Sequence, residues 1–375
     1  MAIVSDLTTT PLSGLNHIDA LLDIGPDWNY LTGNPANTIY YTFSLGSGTE
    51  KDVSGQVAFN AQQQVAARSA FDYLKQVTGI QFVETGTGTN AQIHLANRNI
   101  ESSNTTGLCS WESSYSYGAG NVVNAYSANA YVYLDNVEWA GQNSNPVPGS
   151  SGYQTLLHEL GHALGLGHPF HESDEQSHVH LPAQQDNTAN TIMSYTDAGG
   201  PYSTFSPYDL AALNWLYGGD GLGGALGINA DGRFITGTAG ADRITGTAGN
   251  DRIVSLGGND VIDGGGGTDT VVFNRGRGEF SFSENGSGGL LATHATLGTV
   301  TMASVELLSF TDGQYQRSQL TADTVPPPAP VLSVRKNAAD YLPTGATPVF
   351  TGQVEPNALV LSLIHISEPT RRRGI

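Results

Sequence analysis

Cysteine is nearly absent. Cys109 stands alone among 375 residues, so no intrachain disulfide can form. Stability must come from core packing or bound metal, and Cys109 itself reads as a small buried apolar residue. Basic residues are scarce too: 15 Lys and Arg against 34 Asp and Glu leave a formal charge of −19. Such an acidic chain excludes nucleic acid as a partner and argues against an anionic membrane surface. Long apolar runs are missing, and no stretch approaches the roughly 20 residues a membrane helix needs. The opening Met1-Ala2-Ile3-Val4-Ser5-Asp6 lacks the basic and apolar regions of a Sec-type signal peptide. Charged residues reach only 13% while glycines number 47, which excludes a helical bundle. What remains is a loop- and strand-rich protein of two or three domains, of the extracellular kind.

The most informative stretch is Leu156-Leu157-His158-Glu159-Leu160-Gly161-His162-Ala163-Leu164-Gly165-Leu166-Gly167-His168-Pro169. On a helix, His158 and His162 share one face, one turn apart. Gly165 can take a left-handed backbone, end the helix and turn the chain back, bringing His168 toward the same point. Three neutral imidazoles with one position left open for water make a catalytic Zn²⁺ site, and Glu159 sits beside them. Leu156, Leu157, Leu160, Ala163 and Leu164 form an apolar face, so the same helix also packs the core. Downstream, Met193 in Thr191-Ile192-Met193-Ser194-Tyr195 can turn beneath the metal as a soft apolar floor. Tyr195 follows two residues later, within reach of the metal or a developing oxyanion. His171, His178 and His180, among acidic residues, read by default as solvated loop histidines, with a second metal as the minor alternative.

Around this helix the chain alternates elements. Residues 15–22 read as a short amphipathic helix, 38–44 as a strand and 60–77 as a helix. Strands follow over 81–84 and 92–96. Residues 107–129 read as Gly-, Ser- and Tyr-rich chain, then 130–134 as a strand. Ser206 as N-cap and Pro207 at the first position open a helix over 206–217, which Gly218 stops. The expected fold is α+β, a mostly parallel twisted sheet packed by helices, over 1–218.

A period of nine begins at Gly237: GTAGADRIT, GTAGNDRIV, SLGGNDVID, GGGGTDTVV. Position four is always Gly (Gly240, Gly249, Gly258, Gly267) and position six always Asp (Asp242, Asp251, Asp260, Asp269). Position eight is aliphatic. This is the nonapeptide calcium-binding repeat of parallel β-rolls. Glycines permit tight turns, carboxylates and carbonyls give Ca²⁺ hard oxygen ligands, and the aliphatic residue fills the core. Several Ca²⁺ ions are expected; Ser255 departs from the pattern, so individual sites can be weak or empty. Strands over 279–283, 290–293, 298–302 and 306–310 are expected to cap this all-β roll, which spans 219–322. Residues 323–360 read as a Pro-rich linker and the start of a truncated immunoglobulin-like repeat. Residues 361–375 resemble a translated sequencing adapter and are expected to be an assembly scar.

Together, His158–Pro169, Ile192–Tyr195, Pro207–Gly218 and the nonapeptides make the chain resemble the serralysin family of secreted bacterial metzincin proteases. The resemblance spans residues 15–312. It implies zinc on His158, His162 and His168, Tyr195 as a further, switchable ligand, Met193 as a structural turn and Glu159 as general base. It implies polypeptide substrates, a monomer, and export by a type I secretion apparatus through a C-terminal signal rather than an N-terminal one. The competing reading is a calcium-dependent adhesin whose protease domain is vestigial or only self-processing; the intact His158, Glu159, His162, His168, Met193 and Tyr195 argue against decay.

Overall fold

A computed structural model describes residues 2–102, 104–170, 179–222 and 231–321, with the two short strands Ser333–Val334 and Phe350–Thr351. The chain divides into two compact units, Met1–Thr321 and Ala322–Ile375. In the second unit the two short strands pair antiparallel. The rest of the expected immunoglobulin-like start and the tail lie outside the described residues.

The first unit opens with an α+β part. Its five-stranded sheet has strands β1 (Thr38–Thr42), β2 (Gln81–Glu84), β3 (Ile93–Arg98), β4 (Gly107–Tyr117) and β5 (Val123–Asp135) in the order β2-β1-β3-β5-β4. All pairs are parallel except β4 with β5. The predicted mostly parallel sheet is therefore present, with one antiparallel edge strand. The helix Ala61–Thr78 packs on it through Ala66, Ala67, Ala70, Phe71 and Leu74. Asn60 caps its start: Gln63 N–H donates to Asn60 Oδ1 at 2.9 Å, and Asn60 N–H to Gln63 Oε1 at 2.8 Å. Gly79 ends it in the left-handed region, φ 76°.

Two expectations are corrected. Residues 107–129 are not loose chain: β4 and β5 form a long antiparallel hairpin. Much of β4 is exposed on both faces, so its sequence shows no apolar alternation to betray a strand. The amphipathic helix expected over 15–22 shrinks to Asn16–Asp19: beyond it the bonds tighten, Leu21 N–H donating to the Ile18 carbonyl at 3.0 Å, and Leu22 leaves to bridge Leu166.

The second part of this unit is the predicted roll. Alternate nonapeptides feed opposite sheets. One holds β6 (Phe234–Thr236), β8 (Arg252–Ser255), β10 (Thr270–Phe273), β14 (Leu307–Phe310) and β15 (Gly313–Gln316). The other holds β7 (Arg243–Thr245), β9 (Val261–Asp263), β11 (Phe280–Glu284), β12 (Leu290–His294) and β13 (Gly298–Ala303). Ile235, Ile244, Ile253, Ile262 and Val271 are buried between them. Burying each aliphatic side chain contributes about 1.5–3 kcal/mol. The strands after the repeats close the stack by pairing parallel to it, β13 on β9 and β14 on β10, and then antiparallel to one another. The strand β6 precedes the repeat period and was not expected. It joins the roll to the helix Pro207–Tyr217: Asn214 Nδ2 donates to Thr236 Oγ1 at 3.3 Å, and His17 Nε2 donates to the Thr236 carbonyl at 2.8 Å.

Candidate metal centre

The helix Ser151–Ala163 carries His158 and Glu159 in its middle and His162 in its last turn. Leu156, Leu157, Leu160, Ala163 and Leu164 are buried on its core side, as the apolar spacing predicts. Gly165 takes φ 90°, and Leu166 N–H returns to the Gly161 carbonyl at 3.0 Å. That reversal needs glycine, since a side chain is strained at such a φ. The carbonyls left open at the helix end are met by side chains: Trp28 Nε1 donates to Ala163 at 2.7 Å and the Tyr217 hydroxyl to Leu164 at 2.8 Å.

The three imidazoles converge. Nε2 of His162 lies 3.2 Å from Nε2 of His158 and 3.1 Å from that of His168, and the third side of the triangle is 3.3 Å. His158 Nδ1 donates to the Ile192 carbonyl at 2.8 Å and His162 Nδ1 to the Leu166 carbonyl at 2.7 Å. Those bonds fix the tautomer and turn both Nε2 lone pairs inward. Burial and their mutual charge hold all three histidines down at about 3, so they stay neutral. Inward lone pairs at these distances repel unless a cation sits among them. Two nitrogens about 2.0–2.1 Å from a tetrahedral Zn²⁺ are ~3.3 Å apart, so the donor set fits that ion. Among the described residues this is the one group of three or more side chains able to hold a metal. His180 is not part of it; His171 and His178 lie outside the described residues.

Beneath the histidines lies Met193, fully buried. A Cβ on Gly161 would come within 2.8 Å of its sulfur, so glycine lets the thioether press against the helix. Tyr195 is 67% exposed, its ring 4.8 Å from that of His168 and 6.1 Å from that of His158. The tyrosine thus stands at the open side of the cage. Glu159 is buried, and desolvation pushes its carboxyl up to about 8. A divalent cation among the histidines would favour the ionised carboxylate and bring that value back down.

Two residues the sequence did not single out shape this site. Asp209 is fully buried and accepts from Thr191 Oγ1 at 2.5 Å, Ile192 N–H at 2.9 Å and Ser206 N–H at 2.8 Å. It ties the turn that carries Met193 to the next helix, and Ile192 in turn holds His158. The S-x-x-D spacing from Ser206 is a helix-start signal that could have pointed to Asp209, but nothing local reveals its reach to Thr191. We expect Asp209→Asn to cost about 1–3 kcal/mol, by leaving a buried donor unmatched. A urea melt of the purified chain checks this; an unchanged midpoint would contradict it. The second residue is Gly107, at the start of β4. A Cβ there would lie 2.6 Å from Glu159 Oε1 and 2.7 Å from its Cγ. Gly107→Ala should therefore displace Glu159 and lower kcat on the order of 10²-fold with zinc retained, as misplacements of about 1 Å do. Zinc content and turnover measured together test this.

Cys109 lies farther along β4, only half-buried rather than fully so. Burial and then the neighbouring Glu159 charge push its thiol above the usual range. β4 is the sheet edge, whereas residues 130–134 belong to β5, which is paired on both sides.

In the roll, the predicted calcium residues lie on successive turns. Asp242 N–H donates to Asp260 Oδ1 at 3.0 Å, and Asp251 N–H to Asp269 Oδ1 at 2.8 Å. Asp251, Asp260 and Asp269 are buried, and desolvation raises the carboxyls of Asp260 and Asp269, the latter to about 6. Carboxylates buried in this way fit a cation. Gly258 and Gly267 take positive φ and rest on the carbonyls of Gly240 and Gly249 one turn earlier, while Gly249 packs against Gly232. Gly240 has no such close neighbour.

Three imidazoles on a helix and its return, a buried methionine turn and a mostly parallel sheet with an antiparallel edge make this an α+β domain with a candidate zinc site, an arrangement similar to that of metzincins. Family comparison agrees: the matrixin family matches residues 42–200, and the RTX calcium-binding nonapeptide repeat matches 236–271 in four copies. A matrixin-like segment is thus followed by RTX-like repeats, and the chain is similar in this to several curated metalloproteases. It is 29% identical over 249 residues to a metallopeptidase AprA of Pseudomonas marginalis, covering 60% of this chain and 50% of that one. It is 26% identical over 222 residues to a serralysin of Proteus mirabilis, covering 51% and 42%. A metalloprotease AprA of Pseudomonas entomophila gives 28% over 254 residues, covering 60% and 49%. The chain spans about half the length of these curated relatives.

Proposed function

We propose that this protein is a zinc-dependent endopeptidase acting on extracellular polypeptides, with a protease domain over 1–218 and a calcium-ordered roll over 219–322. The observation that carries the reading is the triangle of Nε2 atoms, 3.1–3.3 Å on a side, beside the buried Glu159. His158, His162 and His168 would hold zinc, which when bound supplies a more acidic water and a charge that polarises the scissile carbonyl. Glu159 takes the proton of the attacking water and delivers it to the leaving amine. The Tyr195 hydroxyl, at the open side, donates to the developing oxyanion. β4 is paired on one side only, so an extended substrate can add to its free edge as another strand. Gly107 at the head of that strand keeps the Glu159 carboxylate and the strand backbone in contact.

No helix among the described residues is long and apolar enough to cross a membrane. Acidic calcium-binding repeats suit the calcium-rich exterior of the cell, and we take the chain to act there as a monomer, exported by a type I secretion apparatus. A casein zymogram with and without a zinc chelator tests the activity. Chelator-sensitive clearing supports the endopeptidase. Cleavage of its own chain alone would favour self-processing, and no cleavage would favour the adhesin reading.

A further inference from the structure

The matched repeats end at residue 271, but the contacts that join one turn of the roll to the next do not. The N–H of Asp242 donates to Asp260 and that of Asp251 to Asp269, in each case 18 residues on. Asp269 N–H makes the same bond, at 2.8 Å, to Glu306 Oε2, 37 residues on. A second contact repeats in step. A Cβ on Gly246 would lie 2.6 Å from Asp251 Oδ2 and against the carbonyl of Gly264. A Cβ on Gly264 would lie 2.5 Å from Asp269 Oδ2 and against the carbonyl of Ser304. Ser304 thus stands where the first glycine of a further repeat would be, and Glu306 where its aspartate would be. The span from position one to position six is compressed into three residues. A left-handed backbone at Ser304, φ 50°, and the longer Glu side chain make up the difference. The strand pairing keeps the register: Leu307 N–H donates to the Asp269 carbonyl at 3.0 Å, as Thr270 N–H does to the Asp251 carbonyl at 2.8 Å.

This last rung is short of partners. Asp269 is 1% exposed, and its Oδ2 is buried with no hydrogen-bond donor. In the first two repeats the matching oxygens accept from the N–H and hydroxyl of Thr238 and Thr247. The fourth repeat has Gly265 at that position and no hydroxyl to offer. The carboxylate of Asp269, with its unmatched oxygen, the carboxylate of Glu306 and the Ser304 carbonyl form an all-oxygen setting, which suits calcium and not zinc.

We propose that Ser304–Glu306 closes a terminal calcium site with Asp269, so that a carboxylate from outside the repeats completes the roll. The proposal rests on the reading of the repeats as calcium sites. Glu306→Gln is the informative variant, because its amide oxygen can still accept from Asp269 N–H while the charge is gone. Calcium is titrated calorimetrically into the full chain, wild type and variant, with amide hydrogen exchange followed over 304–310. The variant should bind one calcium fewer, or bind it about tenfold or more weakly, given how ligand charge sets affinity in such sites. Calcium-dependent protection of 304–310 should fall with it, and zinc content should not change. An unaltered stoichiometry, affinity and protection would overturn the role of Glu306. A wild-type chain that binds no calcium would overturn the reading of the repeats themselves, a separate failure.

Discussion

Glu159→Gln should lower peptide hydrolysis by about 10²–10⁴-fold, the range that a general acid–base group contributes, and leave zinc bound. Gln keeps the size of the side chain but can neither accept nor deliver the proton. The histidines are positioned by other groups: His158 by the Ile192 carbonyl, His162 by the Leu166 carbonyl. Metal content should therefore stay at the wild-type value. Burial also makes the neutral amide easier to house than a carboxylate, so the variant should be no less stable than the wild type. Full hydrolysis by this variant, measured on a fluorogenic peptide, would remove Glu159 from the chemistry.

The second large effect is expected on removing calcium. The roll has no disulfide, and it buries the carboxylates of Asp251, Asp260 and Asp269. Each ion bound at a hundredfold its dissociation constant contributes about 2.7 kcal/mol to the folded state. Stripping calcium with a selective chelator should unfold β6 to β15, and restoring it should refold them, as metal-linked folding requires. The β signal in circular dichroism and the thermal midpoint both report this. A roll that melts at the same temperature with and without calcium would contradict it.

The sequence made the chemistry more legible than the frame that holds it. His158 and His162 are read from helical spacing and His168 from a glycine-made return, all local rules that the geometry bears out. The nonapeptides are equally local, since Gly, Asp and aliphatic residues recur in phase. Long-range features were hidden. The outer part of the β4–β5 hairpin, over 112–125, consists mostly of small polar residues and tyrosines with water on both sides, so no period marks it. Gly107 looked like any loop glycine, because its constraint is the Glu159 side chain fifty-two residues away. Asp209 advertised only its helix start, while its bonds to Thr191 and Ile192 depend on a loop closing back. Glu306 lies outside the period of nine and shares its register only through the third dimension.

The most direct measurement is hydrolysis of an unstructured peptide by the purified chain, first as isolated, then stripped of zinc with calcium kept in excess, then resupplied with zinc. The arrangement of His158, His162, His168 and Glu159 predicts one tightly held zinc, cleavage that disappears when it is removed, and recovery on its return. Cleavage that persists undiminished in the stripped chain, or a chain that takes up no zinc, would contradict it.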